Sequence, residues 1–147
     1  MGTPLVEALA QHEVIGIDSC VLIYHLEGHE RFGPPAREVL EWIEAGRATG
    51  VVATLALLEL QVGPYGKGAR DRADYYFAAL RGFPNFRWVD LSYAIADLAA
   101  QIRAARGASV PDSIHLATAV RSEATGFVTN DQSLPALPGL RYVLLGR

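Results

Sequence analysis

One cysteine, one lysine and no long apolar run occur among the 147 residues, and each scarcity closes off a class of protein. The lone Cys20 cannot form an internal disulfide, which agrees with a reducing compartment. Nothing around it marks an activated thiol, so it reads as a small packing residue. No stretch approaches the roughly 18 consecutive apolar residues that a membrane span needs, and the N-terminus lacks the basic start and small-residue cleavage site of a secretory signal. A soluble, intracellular, cytoplasmic protein with no membrane partner is expected. Basic residues are not in surplus either: the formal charge is −3, the wrong sign for a partner of a polyanion unless some acids are committed to a cation. Repeats, low-complexity tracts and linkers are missing, so residues 1–147 are expected to form a single domain.

What is present is a composition that can close a core, 50 % hydrophobic and 20 % charged, patterned as alternating strands and helices. Val14 to Ile17 reads as a strand ending at Asp18, and Ser19 to Leu26 as a helix stopped by Gly28. Ala36 to Ala45 is amphipathic, with Val39, Leu40 and Ile43 on one face and Gly46 beyond its end. Val51 to Ala53 is the second strand, Thr54 an N-cap, and Leu55 to Val62 an apolar helix. Gly63 to Gly68, with Pro64 inside it, reads as a loop before a helix over Ala69 to Arg81. Arg87 to Leu91 is a third strand. Ser92 caps a helix from Tyr93 to Arg106, and Pro111 with Asp112 opens another through Val120. Phe127 to Thr129 is the fourth strand, and Tyr142 to Leu145 adds a fifth. This alternation predicts an α/β fold with a parallel sheet of four to five strands between helices.

Four acids, Asp18, Glu59, Asp112 and Asp131, stand at or just past such junctions, whereas the other twelve lie mostly on polar helix faces. Open α/β sheets gather ligands at the carboxyl ends of their strands, so acids distant in sequence can meet there. Two unit charges about 4 Å apart repel by roughly 4 kcal/mol at an effective dielectric of 20, so a converged cluster calls for a proton or a cation. Each acid also has an ordinary reading. Asp18 can cap a helix, Asp112 sits in a first helical turn where the macrodipole favours it, and Asp131 follows Asn130 in a turn sequence. Glu59 is the only charged residue between Arg47 and Lys67, and an isolated carboxylate on an apolar helix needs a partner or a pocket. Gly16, inside the first strand, hints at a close backbone approach. With the four acids set aside, removing four negative charges from −3 leaves the remainder at +1, so composition permits a nucleic-acid substrate without suggesting one.

Four blocks, GIDSCVLIY at 16–24, Thr54 through Leu60 with Glu59, PDSIHLATA at 111–119 and VTND at 128–131, resemble the PIN-domain nucleases, above all the VapC-like toxins of prokaryotic toxin-antitoxin pairs. The likeness covers almost the whole chain in order. It implies a three-layer α/β/α PIN-like fold and a Mg²⁺- or Mn²⁺-dependent endoribonuclease. By that likeness Asp18, Glu59, Asp112 and Asp131 match the family's acidic quartet, and Thr129 its hydroxyl residue beside the metal. It also implies homodimerisation and a tightly bound antitoxin. Many relatives carry another acid two places after Asp131, where this chain has Ser133.

The expected roles follow from hard oxygen donors suiting Mg²⁺ or Mn²⁺. Asp18 and Asp112 hold the ion, Asp131 binds it directly or through water, and Glu59 orients or deprotonates the attacking water. Ser19, Thr129 and Asn130 are candidates for hydrogen bonds to ligands or phosphate. Lys67, Arg70 and Arg72 are candidate RNA contacts or a solvated face, and Tyr75, Tyr76 and Phe77 divide between stacking, partner contact and core. His25 and His29 are four apart, but Gly28 ends the helix between them. His115, three residues after Asp112, either touches substrate or packs at the pocket edge. Trp42 and Trp88 serve assembly or the core. The rival from another class is a noncatalytic RNA- or partner-binding module whose acids hold a structural cation. Two further rivals fit poorly. An aspartate phosphatase wants a second Asp where Cys20 stands, and a receiver domain wants a late lysine, whereas Lys67 is the only one.

Overall fold

A computed structural model describes residues 2–146 as five parallel strands with helices on both faces. The elements run α1 (Pro4–Leu9), β1 (Val14–Ile17), α2 (Ser19–Glu27), α3 (Gly33–Glu44), β2 (Thr49–Ala53), α4 (Leu55–Gly66), α5 (Arg70–Gly82), β3 (Phe86–Val89), α6 (Tyr93–Arg106), α7 (Val110–Arg121), β4 (Gly126–Thr129) and β5 (Arg141–Leu144). Strand order is β3-β2-β1-β4-β5, every neighbouring pair parallel, with Gly16 opposite both Val51 and Phe127. The chain therefore lays β2 and β3 on one side of β1, then crosses to the other side for β4 and β5. The order reverses at β1 and β4, which is where such sheets open a ligand crevice.

Alternation along each strand divides the core into two layers. Ile15, Ile17, Val52, Val128 and Val143 face one side, where Leu9, Val21, Leu22, Val39, Ile43 and Leu80 from the helices cover them. Phe127 faces the other, together with Val14, Val89 and Tyr142, under Ile95, Ile102 and Leu116 of α6 and α7. The three-layer α/β/α arrangement is thus set by period-two patterning within strands and apolar stripes on helices. Trp42 and Trp88 pack against the first core, which includes the buried Tyr76.

Gly16 on β1 is crowded by α7 and by the neighbouring strand β4. A Cβ added at Gly16 would lie 2.7 Å from Phe127 Cδ1 and 2.8 Å from Ala119 Cβ. Gly16 thus does allow a close approach, made by a helix of this same chain. The caps agree with the sequence at Gly28 and Gly107, both left-handed at helix ends, and at Ser92, whose hydroxyl accepts from the Ile95 N–H.

Several expectations need correction. Within the expected loop over 63–68, residues 63–66 are instead the last part of α4, which runs through Pro64 to Gly66, and only Lys67 and Gly68 form the turn before α5 begins at Arg70. Pro64 lacks an N–H and so leaves the Leu60 carbonyl without its usual i+4 donor, a loss set against the burial of its ring. Gln61, also buried, donates from Nε2 to the Ala73 carbonyl at 2.8 Å and clamps α4 to α5. Thr54 is helical in conformation and makes no side-chain cap bond. The third strand ends at Val89, leaving Leu91 outside it and exposed. An unexpected helix, α1, is started by Thr3, whose hydroxyl accepts from the Val6 N–H, with Pro4 at its first position.

Candidate active site at the sheet reversal

Asp18 directly follows β1, and its backbone N–H donates to the Val128 carbonyl of β4 at 3.0 Å, tying it to the reversal point. The same geometry that makes it the N-cap of α2 fixes its carboxylate: Oδ1 accepts from the Ser19 N–H at 2.8 Å, and Oδ2 accepts from Thr129 Oγ1 at 2.7 Å. Both ordinary and ligand readings of Asp18 are thus compatible, because a cap orients the carboxylate without using all its lone pairs. The residue is 8 % exposed. Burial pushes its carboxyl above the ordinary range against the pull of the Thr129 hydrogen bond, and the charge of Asp112 adds to the rise.

Thr129 ends β4, is fully buried, and also accepts from the Asp131 N–H at 3.0 Å. The strand end therefore links Asp18 to the Asn130–Asp131 turn. In that turn Asp131 Oδ1 accepts from the Ser133 N–H at 2.8 Å and from Ser133 Oγ at 2.6 Å. Ser133, standing where many relatives carry an acid, here occupies one Asp131 oxygen. Asn130 Nδ2 points instead to the Tyr24 hydroxyl at 3.4 Å.

Asp112 lies in the first turn of α7, where its N–H donates to the hydroxyl of the Ser109 cap at 3.2 Å. It is near enough to Asp18 for their charges to interact, and together with Asp131 it helps burial raise the Tyr142 hydroxyl to about 12. Glu59 reaches the region from α4 in the opposite helical layer, with its side chain 29 % exposed. Its Oε1 accepts from His115 Nε2 at 2.5 Å. Although burial alone would raise the Glu59 carboxyl, the hydrogen bond and the charge of His115, followed by a hydrogen bond from Ser19, pull it below its ordinary range.

The structure therefore joins Asp18, Thr129 and Asp131 in one hydrogen-bonded string, sets Asp112 beside Asp18, and pairs Glu59 with His115. Among the described residues, no three His, Cys, Asp or Glu side chains stand close enough to grip an ion unaided. The donor set nevertheless suits a hard divalent cation, which commonly binds through one or two carboxylates and fills its shell with water and phosphate. Asp18 supplies the chemical reason: among the described residues its buried carboxylate has no Lys or Arg partner.

Three expected residues lie apart. Lys67, Arg70 and Arg72 are exposed around the α4–α5 junction, with Tyr75 and Phe77 exposed nearby and Tyr76 in the core. His29 Nδ1 accepts from the Arg31 and Phe32 N–H groups, so it is committed to the turn after α2. Burial, followed by the charge of Asp18, pushes the Cys20 thiol up to about 12, which fits a packing role. His115 is the residue whose partner the sequence did not reveal. It is 3 % exposed, and its only sequence signal was the i, i+3 spacing from Asp112.

Solved structures share this architecture. A toxin-antitoxin complex from Klebsiella pneumoniae is 22 % identical with a TM-score of 0.67, covering 86 % of this chain and 94 % of that one. VapBC2 from Rickettsia felis, bound to a DNA fragment from its promoter, is 15 % identical with a TM-score of 0.72, covering 89 % and 98 %. The sarcin-ricin loop cleaving toxin VapC20 of Mycobacterium tuberculosis is 14 % identical with a TM-score of 0.64, covering 82 % and 92 %. No curated protein matches the chain at a significant level by sequence. The PIN domain family matches residues 15–140, a span that holds all four acids and the sheet reversal between them, and the chain belongs to that family.

Proposed function

We propose that the protein is a Mg²⁺- or Mn²⁺-dependent endoribonuclease that hydrolyses RNA phosphodiester bonds as the toxin of a toxin-antitoxin pair. The observation that carries this reading is Asp18, a carboxylate buried at the reversal of a parallel sheet and held there by Thr129 and the Ser19 N–H. Such a charge is costly unless a cation shares it. Asp18 and Asp112 would hold the ion, with Asp131 reaching it directly or through water. Bound there, a divalent cation supplies positive charge against the negative charge that builds on the phosphate and leaving oxygen. Glu59 would orient the attacking water and accept its proton, a task suited to a carboxylate kept ionised by its neighbours. Thr129 holds the Asp18 carboxylate through its hydroxyl, and Ser19 and Asn130 would hydrogen-bond a ligand or a phosphate.

Lys67, Arg70 and Arg72 would meet RNA phosphates, and the exposed Tyr75 and Phe77 would stack on unpaired bases. A cognate antitoxin, self-association as a homodimer and action in the cytoplasm follow from the likeness to VapC-type toxins. One observation favours the noncatalytic alternative, in which the acids hold only a structural cation: Asp131 is partly engaged by Ser133. Labelled RNA incubated with purified protein and Mn²⁺, with and without EDTA, separates the two. Cleavage that chelation abolishes and Asp18→Asn lacks is the expected result. RNA binding without cleavage would favour the module.

A further inference from the structure

We infer that His115 is a positioning residue for Glu59, reaching across from α7 to fix the carboxylate that α4 brings to the site. The inference rests on the reading of Glu59 as the group that orients the attacking water. Four observations converge on it. Glu59 is the only charged residue on a mostly apolar α4, so no opposite charge on its own helix pairs with it. His115 Nε2 donates to Glu59 Oε1, and the histidine is 3 % exposed, leaving it little access to solvent or to a substrate of its own. The other ring nitrogen, Nδ1, is buried with no hydrogen-bond partner among the described residues. The Glu59 side chain keeps 29 % exposure, so one oxygen is tethered while the carboxylate stays open to solvent.

Nδ1 has no partner among the described residues, so the hydrogen bond from Nε2 to Glu59 is the one side-chain tie on the His115 ring. His115 and Asp112 share one face of the first turns of α7, so one rigid helix sets the spacing between a candidate ion ligand and the clamp on Glu59.

The test uses the full chain with His115→Phe and His115→Leu, which remove the donor at two different volumes, and His115→Gln, whose amide nitrogen extends about as far as Nε2. The expected result with RNA and Mn²⁺ is a fall in kcat of about 10- to 100-fold for the apolar variants with KM unchanged, and recovery of most of the rate in His115→Gln. In a Glu59→Gln background, removing His115 should cost nothing further, because the two act through one another. In the metal-free protein, the ¹³C carboxyl signal of Glu59 should move in the apolar variants and return in His115→Gln. Equal losses in all three variants in step with lowered Tm, additive losses with Glu59→Gln, or an unmoved carboxyl signal would each overturn the inference. A wild-type chain that cuts no RNA with any divalent ion would overturn the nuclease reading alone, and the carboxyl signal would still decide the role of His115.

Discussion

Burial works against the ionised form of Asp18, and that has a consequence for stability. Its folded-state pKa lies above the ordinary 3.8, so its contribution to folding is fully present below that value and is lost as pH rises through the folded value. At neutral pH without a cation, the ionised group opposes the fold. Asp18→Asn is therefore expected to raise Tm by a few degrees in EDTA, since Asn caps a helix about as well as Asp. Thermal unfolding of the two proteins at neutral pH checks this, and an unchanged or lower Tm would contradict it. The same residue shows what sequence can convey. Its junction after an apolar strand was legible, because strand periodicity and helix capping are local. The partner of Glu59 was not, because the contact joins residues 56 apart from opposite layers of the sheet.

Helix α7 carries both Asp112 and His115, and its seat on the sheet depends on Gly16. The close approach to Ala119 and Phe127 leaves no room for a methyl group there. Gly16→Ala is expected to destabilise the protein by about 1–3 kcal/mol through overpacking and to lower RNA cleavage in the surviving fold by displacing Asp112 relative to Asp18. Denaturant unfolding and cleavage rates below the transition check the two parts. Element identities were mostly readable, since apolar stripes and caps such as Ser92 and Gly107 act within a few residues. The failure over 63–66 has a physical cause. Glycine and proline mark loops by their local preferences, but the buried ring of Pro64 and the Gln61 clamp on Ala73 reward continuing α4. Tertiary contacts outweighed propensity there.

For the molecule as a whole, alternation of strands and helices was enough to foresee a parallel sheet between helical layers, but not the strand order that puts β1 beside β4. That order depends on which strands pair, and parallel pairing leaves no turn signature in the sequence. Global stability also has a pH dependence of stated sign. Burial, aided by Arg141 at His12 and Arg37 at His25, holds both imidazoles below the ordinary 6.5. Their contribution is complete above that value and is lost as pH falls through the folded-state values. Tm is expected to drop between about pH 7.5 and about pH 5.5, and the drop to be smaller in a His12→Gln, His25→Gln double variant. Equal pH slopes in the two proteins would contradict the assignment.

Mn²⁺ binding to the metal-free chain, followed by electron paramagnetic resonance of the free ion, addresses most directly the claim that a divalent cation shares the buried charge of Asp18. The wild type is expected to take up Mn²⁺ without RNA present, and a folded Asp18→Asn protein to lose that uptake. Equal binding by the two proteins, or no binding by the wild type, would contradict the account.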